Sequence, residues 1–287
     1  MRYALPALFT ILMWWFSTGL VLCAVRRPQH TRALSFWIAT VLLIGGGYTL
    51  YATADDTSMT GVYAAFIAAL VVWGWHELTF LLGIVTGPQT VPCASKRHER
   101  APLMESIGTV IYHELVIALT GLVVFALTYG GENTTGLWTY MILWVLRLSA
   151  KVNVYLGVPN LTEEFLPKHL QYLKTYFCHR PMNMFFPLSI TGATIATAML
   201  AGAASDATTD AAAASVTILA TLMALALVEH WFMVLPFDST QLWKWGLASE
   251  QGPAAPPLAQ ASPASPHTPT LVSSPRVTTP LATPGAA

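Results

Sequence analysis

The residues of this chain with the clearest chemical potential are charged and imidazole side chains that lie inside long apolar segments. An ionisable group near the centre of a membrane-spanning helix costs roughly 2.5–3.5 kcal/mol on insertion scales, so each is expected to have a partner or a function. Eight such residues are the candidate site: His76, Glu77, His113, Glu114, Arg147, Lys151, Glu229 and His230.

The positions of these residues along their segments predict that they meet at one depth. Counted from the predicted inner helix ends, His76 is about nine residues deep, and His113 and Glu229 are each about six residues deep. Arg147 and Lys151 bracket the same level. At 1.5 Å per residue, all of them occupy a layer on the order of 10–15 Å from the inner surface. Three polar residues nearer that surface are secondary candidates: Asn153, Asn160 and Glu163.

Three kinds of site fit this composition. His and carboxylate ligands from several helices hold a divalent metal in di-iron bundles, although the usual Glu-x-x-His spacing is absent and adjacent residues diverge by about 100° on a helix. A histidine could instead be the axial ligand of a tetrapyrrole. In the third, structural alternative, the three glutamates neutralise Arg147 and Lys151, which lie four residues apart on one helix face. The residues alone leave all three open.

Long apolar runs must position these groups. Of the 287 residues, 54% are apolar and only 10% are charged, against about 25% charged in an ordinary soluble domain. Continuous apolar runs of about 20 residues predict helices that cross a bilayer. We expect an all-α, polytopic transmembrane bundle of about seven helices: Leu5–Val25, Leu34–Thr53, Gly61–Val85, Ile107–Tyr129, Gly136–Gly157, Asn183–Ala203 and Ala212–Leu235.

The distribution of charge predicts the orientation of the bundle. Basic residues follow the first, third, fifth and seventh runs: Arg26, Arg27, Arg32, Lys96, Arg97, Arg100, Lys168, Lys174, Arg180 and Lys244. The alternate connections carry acidic residues and no Lys or Arg: Asp55, Asp56, Glu132, Asp206 and Asp210. By the positive-inside rule, the N-terminus is expected outside the cell and the C-terminus in the cytoplasm.

Two further segments differ from the apolar runs. Between about 162 and 180, apolar residues at helical spacing predict an amphipathic helix on the cytoplasmic side, lying on the inner leaflet. Residues 249–287 are rich in Pro, Ala, Ser and Thr, a composition that cannot bury a core and predicts a disordered cytoplasmic tail. The transmembrane domain is therefore expected to occupy residues 1–248.

Several function classes are disfavoured. Lys plus Arg and Asp plus Glu are balanced at 14 each, and the chain has no basic stripe, so a nucleic-acid partner is not expected. The outer halves of the polar helices carry no ionisable groups, which argues against a proton or ion relay across the membrane. The lipid bilayer is the partner that the composition itself predicts.

Four polar motifs resemble those of the photosynthetic complex assembly protein 2 (PuhE) family of anoxygenic phototrophic bacteria. They are HELTFLLGIVTGP at 76–88, YHELVIA at 112–118, RLSAKVNVYLGVPN at 147–160 and LVEHWFMVLP at 227–236. The resemblance extends to about Leu247 and includes the opening MWWFSTGLVL. The tail lies beyond the part that resembles the family.

The resemblance implies a multi-pass protein of the bacterial inner (intracytoplasmic) membrane, with a periplasmic N-terminus. Its implied role is assembly of reaction centre and light-harvesting complexes, with their subunits or pigment-synthesis proteins as partners and bacteriochlorophyll or a precursor as ligand. It implies no known reaction and no catalytic residues. The alternative is a membrane-embedded metalloenzyme, with a His and Glu site, that acts on a lipid-soluble pigment or quinone; assembly without catalysis is the favoured expectation.

Overall fold

The computed structural model describes residues 1–94, 100–161, 165–237 and 239–247. Within these ranges the chain is helical, and a single isolated β-bridge joins Val158 and His179. The α-helices, in chain order, are α1 Ala4–Val25, α2 Arg32–Ala52, α3 Met59–Leu81, α4 Leu103–Gly108, α5 Ile111–Leu127, α6 Thr135–Leu156, α7 Phe185–Asp206, α8 Asp210–Phe232 and α9 Lys244–Leu247. Short 3-10 helices occupy Gln29–Thr31, Lys168–Tyr176 and Ser239–Trp243.

Five helices, α1, α2, α3, α7 and α8, are long and apolar enough to cross a membrane. Helix α5 is apolar but has only 17 residues. Helix α6 has 22 residues, but it carries Arg147 and Lys151 and is not among the five apolar helices. The prediction of an all-helical chain is confirmed for the described residues, and five of its helices could span a membrane. The count of seven spans and the orientation remain predictions.

Helix α3 is the centre of the bundle and packs against α1, α2, α6 and α8. Its most apolar stretch is 61% buried, against 11% for α7, which packs mainly on α8 and leaves the rest of its surface exposed. Because lipid is as apolar as the side chains, close packing rather than water exclusion holds such helices together. Glycines permit this closeness: a Cβ on Gly46 of α2 would lie 3.1 Å from the Ala68 carbonyl oxygen of α3.

The predicted span Ile107–Tyr129 is interrupted, since α4 ends at Gly108 and α5 begins at Ile111. At the break, Gly87 approaches so closely that a Cβ there would lie 2.1 Å from the Gly108 carbonyl oxygen. The Gly108 carbonyl also accepts a hydrogen bond from the backbone N–H of Gln89 at 3.1 Å. This contact between distant segments explains why an apolar run long enough for one helix forms two.

Helix α3 also ends before the predicted Val85. Gly83 has φ +76°, a left-handed conformation that only glycine adopts at low cost. The His169 ring stacks against this turn, and its Nε2–H donates to the Leu81 carbonyl at 2.9 Å, which satisfies one orphan carbonyl of the helix end.

The segment predicted as an amphipathic helix contains the 3-10 helix Lys168–Tyr176. Leu170, Leu173 and Tyr176 are its buried residues. Their spacing of three matches the 3-10 repeat, in which residues i and i+3 eclipse each other. Leu170 and Leu173 pack on Phe80 of α3, so this helix is tied to the bundle.

Candidate functional site

Two ion pairs cross the bundle from α6. Arg147 donates from Nη2 to Glu77 Oε2 of α3 at 3.0 Å, and Lys151 donates from Nζ to Glu114 Oε1 of α5. The Lys151 ammonium also lies 5.8 Å from the centre of the Phe80 ring, within cation–π range. One helix turn therefore separates two cations that are neutralised by different neighbours.

The ring of His76 lies in the packed interior rather than beside Glu77. It is 1% exposed and lies edge-on to the rings of Trp73 and Trp75. The Tyr140 hydroxyl donates to the Ile117 carbonyl at 2.8 Å, so its oxygen accepts from His76 Nε2 at 3.3 Å. His76 is therefore the Nε2–H tautomer, and its Nδ1 has no hydrogen-bond partner among the described residues.

His113 is equally buried, at 1% exposed, and its ring centre lies 4.7 Å from that of Phe80. Neither of its ring nitrogens has a hydrogen-bond partner in the described part of the chain. Its backbone N–H donates to the Thr86 carbonyl at 3.0 Å, which fixes the start of α5. An unpaired buried imidazole is an exception in folded proteins, since a lost hydrogen bond costs about 1–3 kcal/mol.

Helix α8 presents Glu229 and His230 in different directions. Glu229 Oε1 accepts from the Trp14 indole N–H of α1 at 2.9 Å. The Nδ1–H of His230 donates to the Ala226 carbonyl at 2.8 Å, and its Nε2 accepts from the Ser149 hydroxyl of α6 at 3.0 Å. His230 is thus fully paired, whereas Glu229 forms no ion pair with any described residue.

In the structure, the side chains of the predicted polar layer therefore point to two different sides. On α3 and α8 the glutamate faces one way and the adjacent histidine the other, because successive side chains diverge by about 100°. In the described ranges, no group of three His, Cys, Asp or Glu side chains is arranged to hold a metal ion. The metal alternative therefore finds no ligand set among these residues.

Between α1, α3, α6 and α8 lies a cavity of about 200 Å³. Its wall is mostly apolar, with residues such as Leu70 and Leu143, and it ends on the three charged groups Glu77, Arg147 and Glu229. The Arg147 side chain is 42% exposed although it lies in the middle of α6. We call Trp14, Glu77, Arg147 and Glu229 the cavity side of the polar layer.

The cavity side has unused hydrogen-bonding capacity. A guanidinium carries five N–H donors, and among the described residues Arg147 bonds only to Glu77. Glu229 uses one carboxylate oxygen for Trp14, and the other has no partner in the described chain. This arrangement suits a molecule with an apolar body and a polar edge that both accepts and donates hydrogen bonds.

The secondary candidates Asn153 and Asn160 satisfy backbone groups. The fully buried Asn153 donates to the Ser149 carbonyl at 3.0 Å and to the Ser189 hydroxyl at 3.1 Å. Asn160 donates to the carbonyls of Phe232 and Leu235 at the end of α8. Both asparagines thus join helix ends, while Glu163 lies outside the described residues.

Residue-by-residue reasoning missed Trp14 as a site residue. Trp14 lies in the first apolar run, where an indole is read as part of a lipid-facing helix. The available signal was its N–H, because an indole donor in an apolar environment usually has an acceptor. The only way to identify that acceptor as Glu229, 215 residues away, is to know the packing.

Outside the spans, burial lowers the pKa of His169 from its ordinary value of 6.5, and the nearby Arg32 charge lowers it further. The bond to the Leu81 carbonyl acts in the opposite direction but does not outweigh burial. The neutral ring is therefore the form that the folded protein favours.

Sequence comparison connects the chain to known proteins. The family described as "Protein of unknown function (DUF3623)" matches residues 1–254. A relative from Rhodobacter capsulatus, described as "Uncharacterized 30.4 kDa protein in puhA 5'region", is 42% identical over 254 residues, covering 87% of this chain and 93% of the relative. No solved structure is significantly similar. The matched region contains every helix described above.

Proposed function

We propose, on the premise that this chain belongs to the DUF3623 family, that it is an assembly factor for photosynthetic reaction centre and light-harvesting complexes. Two observations support this role. The Rhodobacter capsulatus relative is described by its position in a puhA 5′ region, and the polar motifs at 76–88 and 227–236 resemble the PuhE family. The proposed partners are subunits of those complexes or pigment-synthesis proteins.

The proposed topology has seven spans in the bacterial inner membrane, with a periplasmic N-terminus. Helices α5 and α6 then cross beside α3, and α4 lies at the cytoplasmic end of α5. Arg2 would be the one Lys or Arg side chain on the periplasmic side, and its charge is neutralised. Its Nε lies 3.3 Å from the Asp210 carboxylate, and its guanidinium donates to the Ala207 and Thr209 carbonyls. The remaining chain, residues 249–287, is the proposed cytoplasmic tail.

The cavity is the observation that carries the molecular part of the proposal. Pockets that enclose a whole drug-sized ligand measure about 300–1,000 Å³, so a cavity of about 200 Å³ holds one edge of a larger molecule. We propose that it binds the polar edge of bacteriochlorophyll or a precursor, with the apolar remainder of the pigment in lipid. Arg147 would donate to a carbonyl of the pigment, and Glu229 would accept from a hydrogen-bond donor.

The membrane metalloenzyme is the competing function. It requires three or more ligands directed at one point, and Glu77 and Glu114 are instead turned onto cations, with no such ligand set among the described residues. The geometry therefore favours binding of a pigment edge over metal chemistry, and it assigns no catalytic residue.

A complementation experiment tests this role. The gene of the Rhodobacter capsulatus relative is deleted, and this chain is expressed in its place as wild type, Arg147→Met, Glu229→Gln or the control Tyr129→Phe, whose 77% exposed side chain lies far from the cavity. We expect near-infrared absorption of the pigment–protein complexes to be restored by wild type and Tyr129→Phe, and reduced by both cavity variants at equal protein levels. Full restoration by the cavity variants, or normal complexes without any copy, would refute the proposal.

A further inference from the structure

The chain after α8 folds back onto α1. We call Ser239–Leu247, which comprises the last 3-10 helix and α9, the strap. The Trp15 indole N–H donates to the Leu242 carbonyl at 2.8 Å, and the Trp243 indole N–H donates to the Trp15 carbonyl at 3.0 Å. These reciprocal bonds fix the strap on the surface of α1.

The strap lies beside the interior of the apolar helix rather than at its end. Trp15 precedes Val25, the last residue of α1, by ten residues, which corresponds to about 15 Å at 1.5 Å per residue. Backbone that is not part of a spanning helix is tolerated at membrane depth only where the protein satisfies it. The bond from Trp15 to Leu242 and the helical turns of the strap provide such pairing.

A glycine on α1 makes room for the strap. A Cβ on Gly19 would lie 1.9 Å from Cζ2 of Trp245, so any other residue would overlap the indole. On the strap, a Cβ on Gly246 would lie 2.9 Å from the Gly19 carbonyl oxygen. Gly45 of α2 offers a contrast, because no atom lies within 4 Å of the position of its Cβ. The surface of α1 is therefore shaped for this segment.

One side chain of the strap packs against a residue that lines the cavity. The Trp243 ring packs edge-on against Trp14 with 5.2 Å between ring centres. Trp14 lines the cavity and bridges α1 to α8 through its bond to Glu229. Trp243 thus supports the side chain that forms the wall between these two helices.

We propose that the strap is a latch on the cavity. In the docked state it holds Trp14 against Glu229, which is itself exposed, and so narrows the gap between α1 and α8. Release of the strap frees Trp14 and widens this gap, which provides a lateral route from the lipid for a lipid-soluble molecule. The inference rests on the proposed function only in taking the cavity as the binding site.

The test measures access to the cavity without any pigment. Ser17, a half-buried residue that lines the cavity on α1, is changed to Cys. The full-length protein in lipid nanodiscs is treated with N-ethylmaleimide, and modification at position 17 is followed by mass spectrometry, which separates it from the native Cys23. Gly19→Val, which displaces Trp245, is expected to raise the labelling rate at least about tenfold, the equivalent of ~1.4 kcal/mol.

The matched control is Gly45→Val, the same change on a helix surface with open space. It should leave the labelling rate at position 17 unchanged, and an equal rise would show that the effect is not specific to the strap. Trp245→Ala removes the ring that clashes with Val, so Gly19→Val combined with Trp245→Ala should return to the rate of Trp245→Ala alone.

The combined variant also guards against a folding artefact. If it labels faster than Trp245→Ala alone and as fast as Gly19→Val, distortion of α1 rather than strap release is responsible, and the latch is refuted. Trp243→Phe, which keeps an aromatic ring but loses the bond to Trp15, should give an intermediate rate, and no change there would also contradict the latch. Because the readout is a thiol reaction, the latch can fail while pigment binding holds, and the reverse.

Discussion

We call the side formed by His76, His113, Tyr140, Lys151 and His230 the packed side of the polar layer. The cavity side and the packed side contain similar residue types, but they differ in how fully their hydrogen-bonding groups are paired. On the packed side, His230 and Tyr140 use their hydrogen-bonding groups within the protein, and Lys151 is held by Glu114 and the Phe80 ring. On the cavity side, Arg147 is 42% exposed and Glu229 has no ion-pair partner among the described residues. Buried polar groups that are fully paired specify structure, whereas unpaired capacity beside a cavity is what a ligand requires.

This difference between the two sides predicts how substitutions act. Changes on the packed side should reduce stability first, and changes on the cavity side should reduce function at nearly constant stability.

Lys151→Met should destabilise the protein by about 3 kcal/mol, because it leaves the Glu114 carboxylate, whose side chain is only 21% exposed, without a partner. Arg147→Met should cost less, about 1 kcal/mol, since the Arg147 side chain is 42% exposed, against 23% for that of Lys151, and Glu77 borders the cavity. Unfolding in mixed detergent micelles measures both. The combination of Lys151→Met with Glu114→Met should recover most of the loss, and equal losses for Lys151→Met and Arg147→Met would remove the distinction between the two sides.

Tyr140→Phe should cost about 1–2 kcal/mol, because the buried Ile117 carbonyl loses its hydrogen-bond donor. Tyr129→Phe, at an exposed position, is the matched control and should be neutral in the same unfolding assay. A neutral Tyr140→Phe would show that the pairing on the packed side contributes little.

His113 is an exception on the packed side, because its ring nitrogens have no hydrogen-bond partner among the described residues. The variant His113→Leu tests this exception. Removing an unsatisfied imidazole should leave stability within about 1 kcal/mol of wild type or raise it. Complementation then separates the two interpretations: retained assembly assigns His113 to packing, and lost assembly with a stable fold moves it to the functional residues.

The smallest expected effect concerns pH. The folded protein favours neutral His169, because burial lowers its pKa below 6.5. The unfolded chain therefore takes up the proton first, and the contribution of His169 to stability is complete above pH 6.5 and declines as the pH falls below it. As the pH falls from 6.5 to 5, the free energy of unfolding should therefore decrease less for His169→Gln than for the wild type. The exposed His30 provides the control His30→Gln, which should match wild type.

The sequence predicts the helical class and the polar layer because both follow from distances along a helix; the helical class is confirmed, and the depth of the layer in a membrane stays a prediction. Apolar runs of about 20 residues set the helices, and a fixed rise of 1.5 Å per residue sets the depth of Glu77, Arg147 and Glu229. Those two rules place the three residues at one level, and the structure adds that all three line the cavity.

The rotation of each helix about its axis and the contacts between distant residues could not be predicted from the sequence. Whether His76 or Glu77 faces the cavity depends on how α3 is turned, and an apolar helix has no polar face to show it. The break at Gly108 depends on Gly87, and the strap depends on a notch at Gly19 that fits Trp245. Each is a contact between distant residues that no local pattern records.

The measurement that tests the central claim most directly is the absorption spectrum of the protein, purified in mild detergent from phototrophically grown Rhodobacter capsulatus. We expect bound tetrapyrrole, seen as Soret and near-infrared bands, that is lost in Arg147→Met and retained in His30→Gln. A protein without tetrapyrrole, or one whose bands survive Arg147→Met and Glu229→Gln unchanged, would contradict the assignment of the cavity as the pigment site.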